Sequence, residues 1–317
     1  MKVAIFGVWH VHARGYMKVA LDNGEVLGFY EKNDALAEEF LGFYPDTHRF
    51  MSAEELLSSD AEGVIVCSST EDHTEDMLRI AAAGKHIFTE KVLALTEAEC
   101  LAVKEAVEKN GVRFTISYPH KFVGSCMTVK AIADSGELGK LNYARFRKAH
   151  SGSINDWLPP HFYNRRECGG GAMIDLGAHG MYILHWLFGM PEFARSAFTL
   201  SCERKSTAEK NTDRVEDNAV TLLGFKDGAI GVSETGFVSG RTYHVFEVHG
   251  ERGYVIMDGD SVRKCTDATN GETVPVEVME NADSPILQFM LGKETYGCGI
   301  DEAIDLSRIM EMAYANA

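Results

Sequence analysis

Through its first 118 residues the chain alternates short apolar runs with stretches whose apolar positions recur every three or four residues. That pattern predicts parallel strands, buried on both faces, joined by covering helices. Residues 3–6, 26–30, 63–67, 86–89 and 112–117 read as the strands. The segment up to Leu21 and residues 34–42, 53–57, 74–83 and 97–110 read as the helices, the last two ended by Gly84 and Gly111. Beyond Tyr118 the pattern changes. Residues 141–150 alternate apolar and charged positions as a half-buried strand does, and 197–203, 218–225, 229–235, 243–249 and 253–257 predict further strands, some separated by turns such as Lys226-Asp227-Gly228. With helices at 128–134, behind Gly171 and at 301–314, the expectation is an α/β protein of two domains. Residues 1–118 form the parallel sheet, and 119–317 carry a large, mainly antiparallel open sheet. Its uncovered face needs a partner, and self-association into a homodimer or homotetramer is the simplest one.

The first strand ends at Gly7 and a helix follows, the strand–turn–helix with which a Rossmann unit begins. The second strand ends in Glu31, 24 residues after Gly7, where a carboxylate receives the ribose hydroxyls of NAD and repels the 2′-phosphate of NADP. Lys32 beside it leaves NADP open. The fingerprint GxGxxG stands here as Gly7-Val8-Trp9-His10-Val11-His12, with Trp9 and His12 in the places of the second and third glycines. These side chains and His10 either hold a ligand or pack at the helix start. Later strands deliver Cys67, Ser68, Ser69 and His73, then Glu90 and Lys91, to the carboxyl edge of the sheet, where open α/β sheets bind ligands. The cofactor-binding candidates are therefore Gly7, Trp9, His10, Val11, Glu31, Lys32, Cys67, Ser68, Ser69, His73, Glu90 and Lys91, with NAD as the expected cofactor.

Residues 168–189 set Gly169, Gly170 and Gly171 ahead of a helix that carries Asp175 and His179, four residues apart and so on one face of an α-helix. Glycines let backbone or ligand approach closely where the helix begins. Taken alone, such a pair is an ordinary helix-surface contact. The preceding loop, 156–165, mixes aromatics with hydrogen-bonding groups, among them Trp157, His161, Tyr163 and Arg165, which suits the C–H faces and hydroxyls of a sugar ring. An ordinary packed loop is the alternative.

Composition narrows the partners. A net charge of −16 over 317 residues argues against nucleic acid and against anionic membranes. No apolar run approaches membrane-spanning length, and the strand-like opening leaves no room for a signal peptide. Seven cysteines, odd in number, scattered and without a CxxC pair, indicate neither a disulfide framework nor a zinc site. A cytoplasmic protein is expected.

Three separated stretches carry a resemblance. Residues 66–73 with 82–96 (AAGKHIFTEKVLALT) resemble the "AGKHVxxEKPLAxT" block of the glucose–fructose oxidoreductase, inositol dehydrogenase and rhizopine catabolism family, Gfo/Idh/MocA. Residues 162–179 look like its "GGGxxxDxxxH" block, and 216–229 are similar to its "EDNAxxxxxFxDGA" pattern. The resemblance implies Lys91, Asp175 and His179 as catalytic residues, with Glu90 and His73 lining the cofactor cleft. Two departures stand out. Val92 replaces the proline that follows the lysine in the family, and Tyr118-Pro119-His120-Lys121-Phe122 stands where many members have an asparagine–arginine pair. Substrate-side candidates are thus His12, Tyr118, His120, Trp157, His161, Tyr163, Arg165 and His179. The implied activity is NAD(P)-dependent oxidation of a secondary alcohol on a sugar, sugar derivative or cyclitol. An NAD-dependent glycosidase working by transient oxidation, or a cofactor-binding regulator without turnover, are the alternatives within the family.

Overall fold

The computed structural model describes all 317 residues, the Tyr243 side chain excepted. The chain divides into two units, Met1–Ser117 with Asp283–Ser307, and Tyr118–Ala282 with Arg308–Ala317.

In the first unit six strands, β1 (Lys2–Phe6), β2 (Glu25–Tyr30), β3 (Arg49–Phe50), β4 (Gly63–Val66), β5 (His86–Thr89) and β6 (Phe114–Ile116), pair in parallel in the order β3-β2-β1-β4-β5-β6. This is the doubly wound order, whose topological switch point lies between β1 and β4. Strand β4, GVIV, is buried along its whole length, as a strand covered on both faces must be. Thr96 and Glu99 form a capping box at the start of helix Glu97–Asn110, and Gly111 ends it in the left-handed conformation. The return of residues 283–307 to this unit is not marked by the boundary at residue 118. Its helix, Pro285–Met290, places Ile286, Phe289 and Met290 in one core cluster with Met17, Phe29 and Phe88. Gly63 makes room for it, since a Cβ there would stand 2.8 Å from the Phe289 ring.

The second unit is built on eight strands: β7 (Leu141–Ala149), β8 (Phe193–Thr199), β9 (Asn218–Gly224), β10 (Ile230–Gly236), β11 (Tyr243–Gly250), β12 (Gly253–Asp258), β13 (Ser261–Thr266) and β14 (Val274–Val276). Their order is β14-β13-β12-β11-β7-β10-β9-β8, antiparallel except for the β7–β10 pair. β8 runs earlier than the expected 197–203 because the Asp217 carboxylate accepts the Ser201 and Cys202 N–H groups, which ends the ladder after Thr199. β13 and β14 escape the hydrophobic pattern because they form a half-exposed edge. Helices Gly124–Asp134 and Ala178–Phe188 cover the inner face. On the outer face Arg145 and Arg147 pair with Glu247 at 2.9 Å and Glu234 at 3.1 Å, beside exposed Val220, Leu222 and Ile230. Among the described residues no helix is long and apolar enough to cross a membrane.

Candidate functional site

At the switch point of the first unit Gly7 turns the chain with φ +78°, and a Cβ on it would lie 2.6 Å from the Ser68 backbone, so β1 and β4 can close on each other only with glycine there. Glu31 is buried, and its two oxygens accept the Val8 and Asn33 N–H groups, each at 2.8 Å. Burial raises the pKa of this carboxyl against the lowering effect of those two bonds. Lys32 reaches Asp72 at 2.7 Å, and Ser69 donates to the same acid at 2.6 Å. Asp76, buried beside them, is pushed up to about 6 by desolvation. Trp9 and His10 are buried, and the His10 N–H donates to Cys67 O at 3.0 Å. Val11 leads into helix Ala13–Asn23, whose first turn holds no acid and whose preceding residue, His12, makes no side-chain cap. The positive end of that helix is therefore not neutralised by its own side chains. Together with a carboxylate after β2 and hydroxyls after β4, this donor set fits a dinucleotide.

Glu90 and Lys91 follow β5. Glu90 is 1% exposed; its Oε1 accepts from His12 Nδ1 at 2.7 Å and from the Tyr16 hydroxyl, with His10 Nδ1 at 4.0 Å. Burial alone would raise the Glu90 pKa, but His10, His12 and Lys91 outweigh it and hold the carboxyl ionised, well below the usual range. Tyr16 also meets Ser117 Oγ at 2.7 Å, and burial beside Glu90 pushes its hydroxyl well above the ordinary tyrosine value. Lys91 is buried, and the Lys91–Val92 peptide is cis. His73, fully buried, spans from Ser68 O (3.1 Å) to Val92 O (3.0 Å), and burial lowers its pKa. It braces the loops after β4 and β5. Cys67 is fully buried as well, its thiol pKa raised first by burial.

In the second unit the glycine run is filled by protein. A Cβ on Gly170 would lie 2.1 Å from the Tyr314 hydroxyl and one on Gly171 2.0 Å from Glu216 O. Glu216 Oε1 accepts the Gly171 and Met173 N–H groups, at 2.9 and 3.1 Å, and the Tyr314 hydroxyl at 2.6 Å. The close approach expected there is that of Glu216 and Tyr314. Residues Met173–Gly177 then form one π turn before helix Ala178–Phe188 begins. The α-helical spacing assumed between Asp175 and His179 fails over this stretch, a form that recurs at functional sites. Thr221, Ser233 and Thr235 on the inner sheet face hold the turn through Met173 Sδ, Gly177 O and Ala172 O at 3.8, 3.1 and 3.4 Å. His179 is buried, with Nδ1 3.0 Å from the Tyr182 hydroxyl. A ring that donates from Nδ1 to Tyr182 leaves Nε2 basic, the state a proton acceptor needs. The Tyr182 hydroxyl also accepts the His120 N–H at 3.2 Å, and the His120 and His179 rings meet edge to face at 4.7 Å.

Residues 1–118 match the profile described as "Oxidoreductase family, NAD-binding Rossmann fold", and residues 126–256 match the "GFO/IDH/MocA C-terminal domain". The chain belongs to the Gfo/Idh/MocA family. It is 28% identical over 227 residues to myo-inositol 2-dehydrogenase of Thermotoga maritima, covering 70% of this chain and 62% of that protein. With levoglucosan dehydrogenase of Pseudarthrobacter phenanthrenivorans it shares 25% over 253 residues, 72% of this chain and 63% of the other. The matches thus span less than two thirds of these relatives' own length. Among solved structures, a levoglucosan dehydrogenase complex with NADH and levoglucosan superposes with TM-score 0.82 at 17% identity, covering 100% of this chain and 97% of that one. Aldose-aldose oxidoreductase from Caulobacter crescentus, complexed with glycerol, gives 0.81 at 22% identity, covering 100% and 97%. At these identities the likeness is one of fold.

Within this Gfo/Idh/MocA chain the substrate-side candidates separate. Tyr118 is fully buried, stacked on Tyr182 at 4.3 Å, and Tyr163 is buried with its hydroxyl on Ser153 at 2.7 Å. Trp157 is exposed and meets the His150 ring at 4.7 Å, His161 is half-buried, and Arg165 is exposed with its N–H on Asp213 at 2.8 Å. His12 meets Glu90 through Nδ1. Tyr16 and Tyr182 were not among the sequence candidates, although Tyr16 lies four residues after His12 and Tyr182 three after His179, the spacings at which helical side chains meet. Lys148 and His244, on neighbouring sheet strands and both beside His120, carry no local motif at all.

Proposed function

We propose that this chain is an NAD-dependent dehydrogenase that oxidises a secondary alcohol of a sugar or cyclitol. The observation that carries the reading is the pair of family matches on a chain that keeps Lys91 behind β5 and His179 on the helix after the glycine run. The named activities of its relatives, inositol 2-dehydrogenase and levoglucosan dehydrogenase, support the substrate class. Glu31 after β2 supports NAD over NADP, because it places negative charge where a 2′-phosphate would have to sit. Bound NAD supplies the hydride acceptor. His179 takes the hydroxyl proton through Nε2, oriented by Tyr182. Lys91 polarises the same oxygen, and Asp175 orients the pair. Self-association through the outer sheet face is part of the proposal, supported by exposed Val220, Leu222 and Ile230 there.

The test is NAD and NADP titration by fluorescence, then a screen of sugars and polyols for reduced-cofactor absorbance. His179→Ala and Lys91→Ala should each lower kcat by about 100-fold or more with NAD affinity unchanged. Near wild-type turnover in both would refute the assignment. A cofactor that binds tightly with no substrate oxidised would favour a regulator, and bond cleavage without net NADH a glycosidase.

A further inference from the structure

In a dinucleotide-binding fold the acid after the second strand receives the ribose 2′-hydroxyl of NAD, and a cation close to that acid accommodates the 2′-phosphate of NADP. This chain carries both chemistries in adjacent residues, Glu31 and Lys32. Glu31 is buried, with one oxygen on the Val8 N–H and the other on the Asn33 N–H. Lys32, its side chain 65% exposed, is the member of the pair with room to move. Whether it can serve a phosphate depends on what already holds it.

Asp72 holds it. Lys32 Nζ lies 2.7 Å from both Asp72 oxygens, joining the residue beyond the end of β2 to the loop after β4. Asp72 stands at the N-cap of helix His73–Ala82, where an aspartate ordinarily accepts an N–H of the first helical turn, yet its side chain makes no such bond. It accepts from Ser69 Oγ at 2.6 Å instead and turns its charge to the lysine. Burial acts to raise the Asp72 pKa, but Lys32 and Ser69 outweigh it and keep the carboxyl ionised. Burial likewise opposes the Lys32 charge, and Asp72, then Asp76 and Glu31, more than offset it. A second cation at this edge, Arg49 on β3, is tied in a similar way, to Asp34 Oδ1 at 2.6 Å and to Glu31 O at 3.0 Å.

We propose that Asp72 is a positioning residue for coenzyme choice: by holding Lys32 it withdraws the cation that would receive the 2′-phosphate of NADP, and so keeps the chain selective for NAD. The inference rests on the NAD reading above and extends it from Glu31 to a second acid. To reach a phosphate, Lys32 has to break two short bonds and leave an ionised Asp72 with Ser69 as its remaining partner. Asp72 does not follow, because the Ser69 hydroxyl fixes its side chain and its own N–H donates to Ser69 O at 3.0 Å. An isolated exposed ion pair is worth little. This one engages both carboxylate oxygens and an acid that is itself anchored, so a modest but measurable effect on cofactor choice follows.

The experiment measures Kd for NAD and NADP by fluorescence titration in wild type, Asp72→Ala, Asp72→Asn, Asp76→Asn, Lys32→Met and the double variant Asp72→Ala/Lys32→Met. Each protein is first checked for wild-type melting, and Asp72→Asn, nearest in shape, carries the comparison if Asp72→Ala melts early. Asp72→Ala should tighten NADP relative to NAD by about tenfold, and Asp72→Asn, which keeps an uncharged acceptor for the lysine, by less. Lys32→Met alone should change the ratio by about twofold at most. In the Asp72→Ala background the same change should remove most of the gain, a non-additivity that mere loss of negative charge does not produce. A gain that persists in the double variant, or that Asp76→Asn matches, overturns the proposal, since it reports repulsion alone. An unchanged ratio in both Asp72 variants overturns it too. So does a loss of NADP affinity from Lys32→Met that is as large with Asp72 present as without it, because Lys32 would then already serve the phosphate. These are binding constants and need no turnover. Wild-type preference for NADP would overturn the NAD reading by itself, while the cycle of variants still decides the role of Asp72. Binding of neither dinucleotide removes both.

Discussion

Replacing Glu216 tests whether the start of the helix behind the glycine run is held from within the protein. One oxygen of this buried carboxylate takes three hydrogen bonds, from the Gly171 and Met173 N–H groups and the Tyr314 hydroxyl. Bonds to a charged acceptor are each worth about 1.5–3 kcal/mol, and a donor left buried without a partner costs a comparable amount. Losses around one atom are not additive, and water entering the space left by Glu216→Ala recovers part of them. A net cost of about 3–5 kcal/mol follows, in line with removal of one partner from a buried charged set. For a unit of this size that lowers Tm by roughly 10 °C. Glu216→Gln keeps one acceptor oxygen but turns an NH2 group toward donors, and should cost about 1–2 kcal/mol. Thermal melts by circular dichroism without cofactor measure both. NAD binding should survive in Glu216→Gln, because its ligands sit on the first unit, while turnover falls with the displaced π turn that carries Asp175. A Glu216→Ala protein melting within 2 °C of wild type would refute this account.

Gly7→Ala adds a Cβ at φ +78° and 2.6 Å from the Ser68 backbone. NAD affinity should fall about tenfold or more and stability by about 2 kcal/mol, read by fluorescence titration and thermal melting. Glu90 sets an acid limit. Its pKa in the folded protein lies below the ordinary carboxylate range, so its contribution is complete above the unfolded-state value and disappears as pH falls through the folded-state value. The difference in Tm between wild type and Glu90→Gln should therefore be largest near pH 7 and shrink below about pH 4. A difference that stays constant between pH 7 and pH 3 would contradict the assignment.

Much of the parallel sheet was legible because β1, β4 and β5 are buried along all or nearly all of their length and show as apolar runs such as Gly63–Val66. Edge strands gave less. β13 and β14, half-exposed and carrying Arg263, Lys264 and Pro275, offer little alternation to read. Helix Pro285–Met290 is one turn and a half long, and its place beside Phe88 depends on a packing partner about two hundred residues away in the chain. At the site, residues next to a turn or a glycine run could be named from local chemistry. Lys148 and His244 could not, since their place beside His120 arises from a register across β7 and β11 that no local pattern encodes.

The altered glycine loop is explained by what lies beneath it. A carboxylate 1% exposed, as Glu90 is, stays ionised only if donors or cations surround it. The donors here come from the loop itself and the first turn of its helix: His12, in the place of the third fingerprint glycine, and Tyr16, with His10 close by. A glycine at position 12 would restore the third glycine of the motif, with Trp9 still in the place of the second, and would remove one of the bonds holding the Glu90 charge. The histidines thus tie the phosphate turn to the segment that bears Lys91, whose own N–H rests on Glu90 Oε2 at 3.1 Å. Departure from the fingerprint is, on this reading, a coupling between the cofactor loop and Lys91, the lysine proposed to polarise the substrate oxygen. His12→Gly should accordingly disturb kcat together with NAD affinity, whereas a loop that merely packed would change affinity alone.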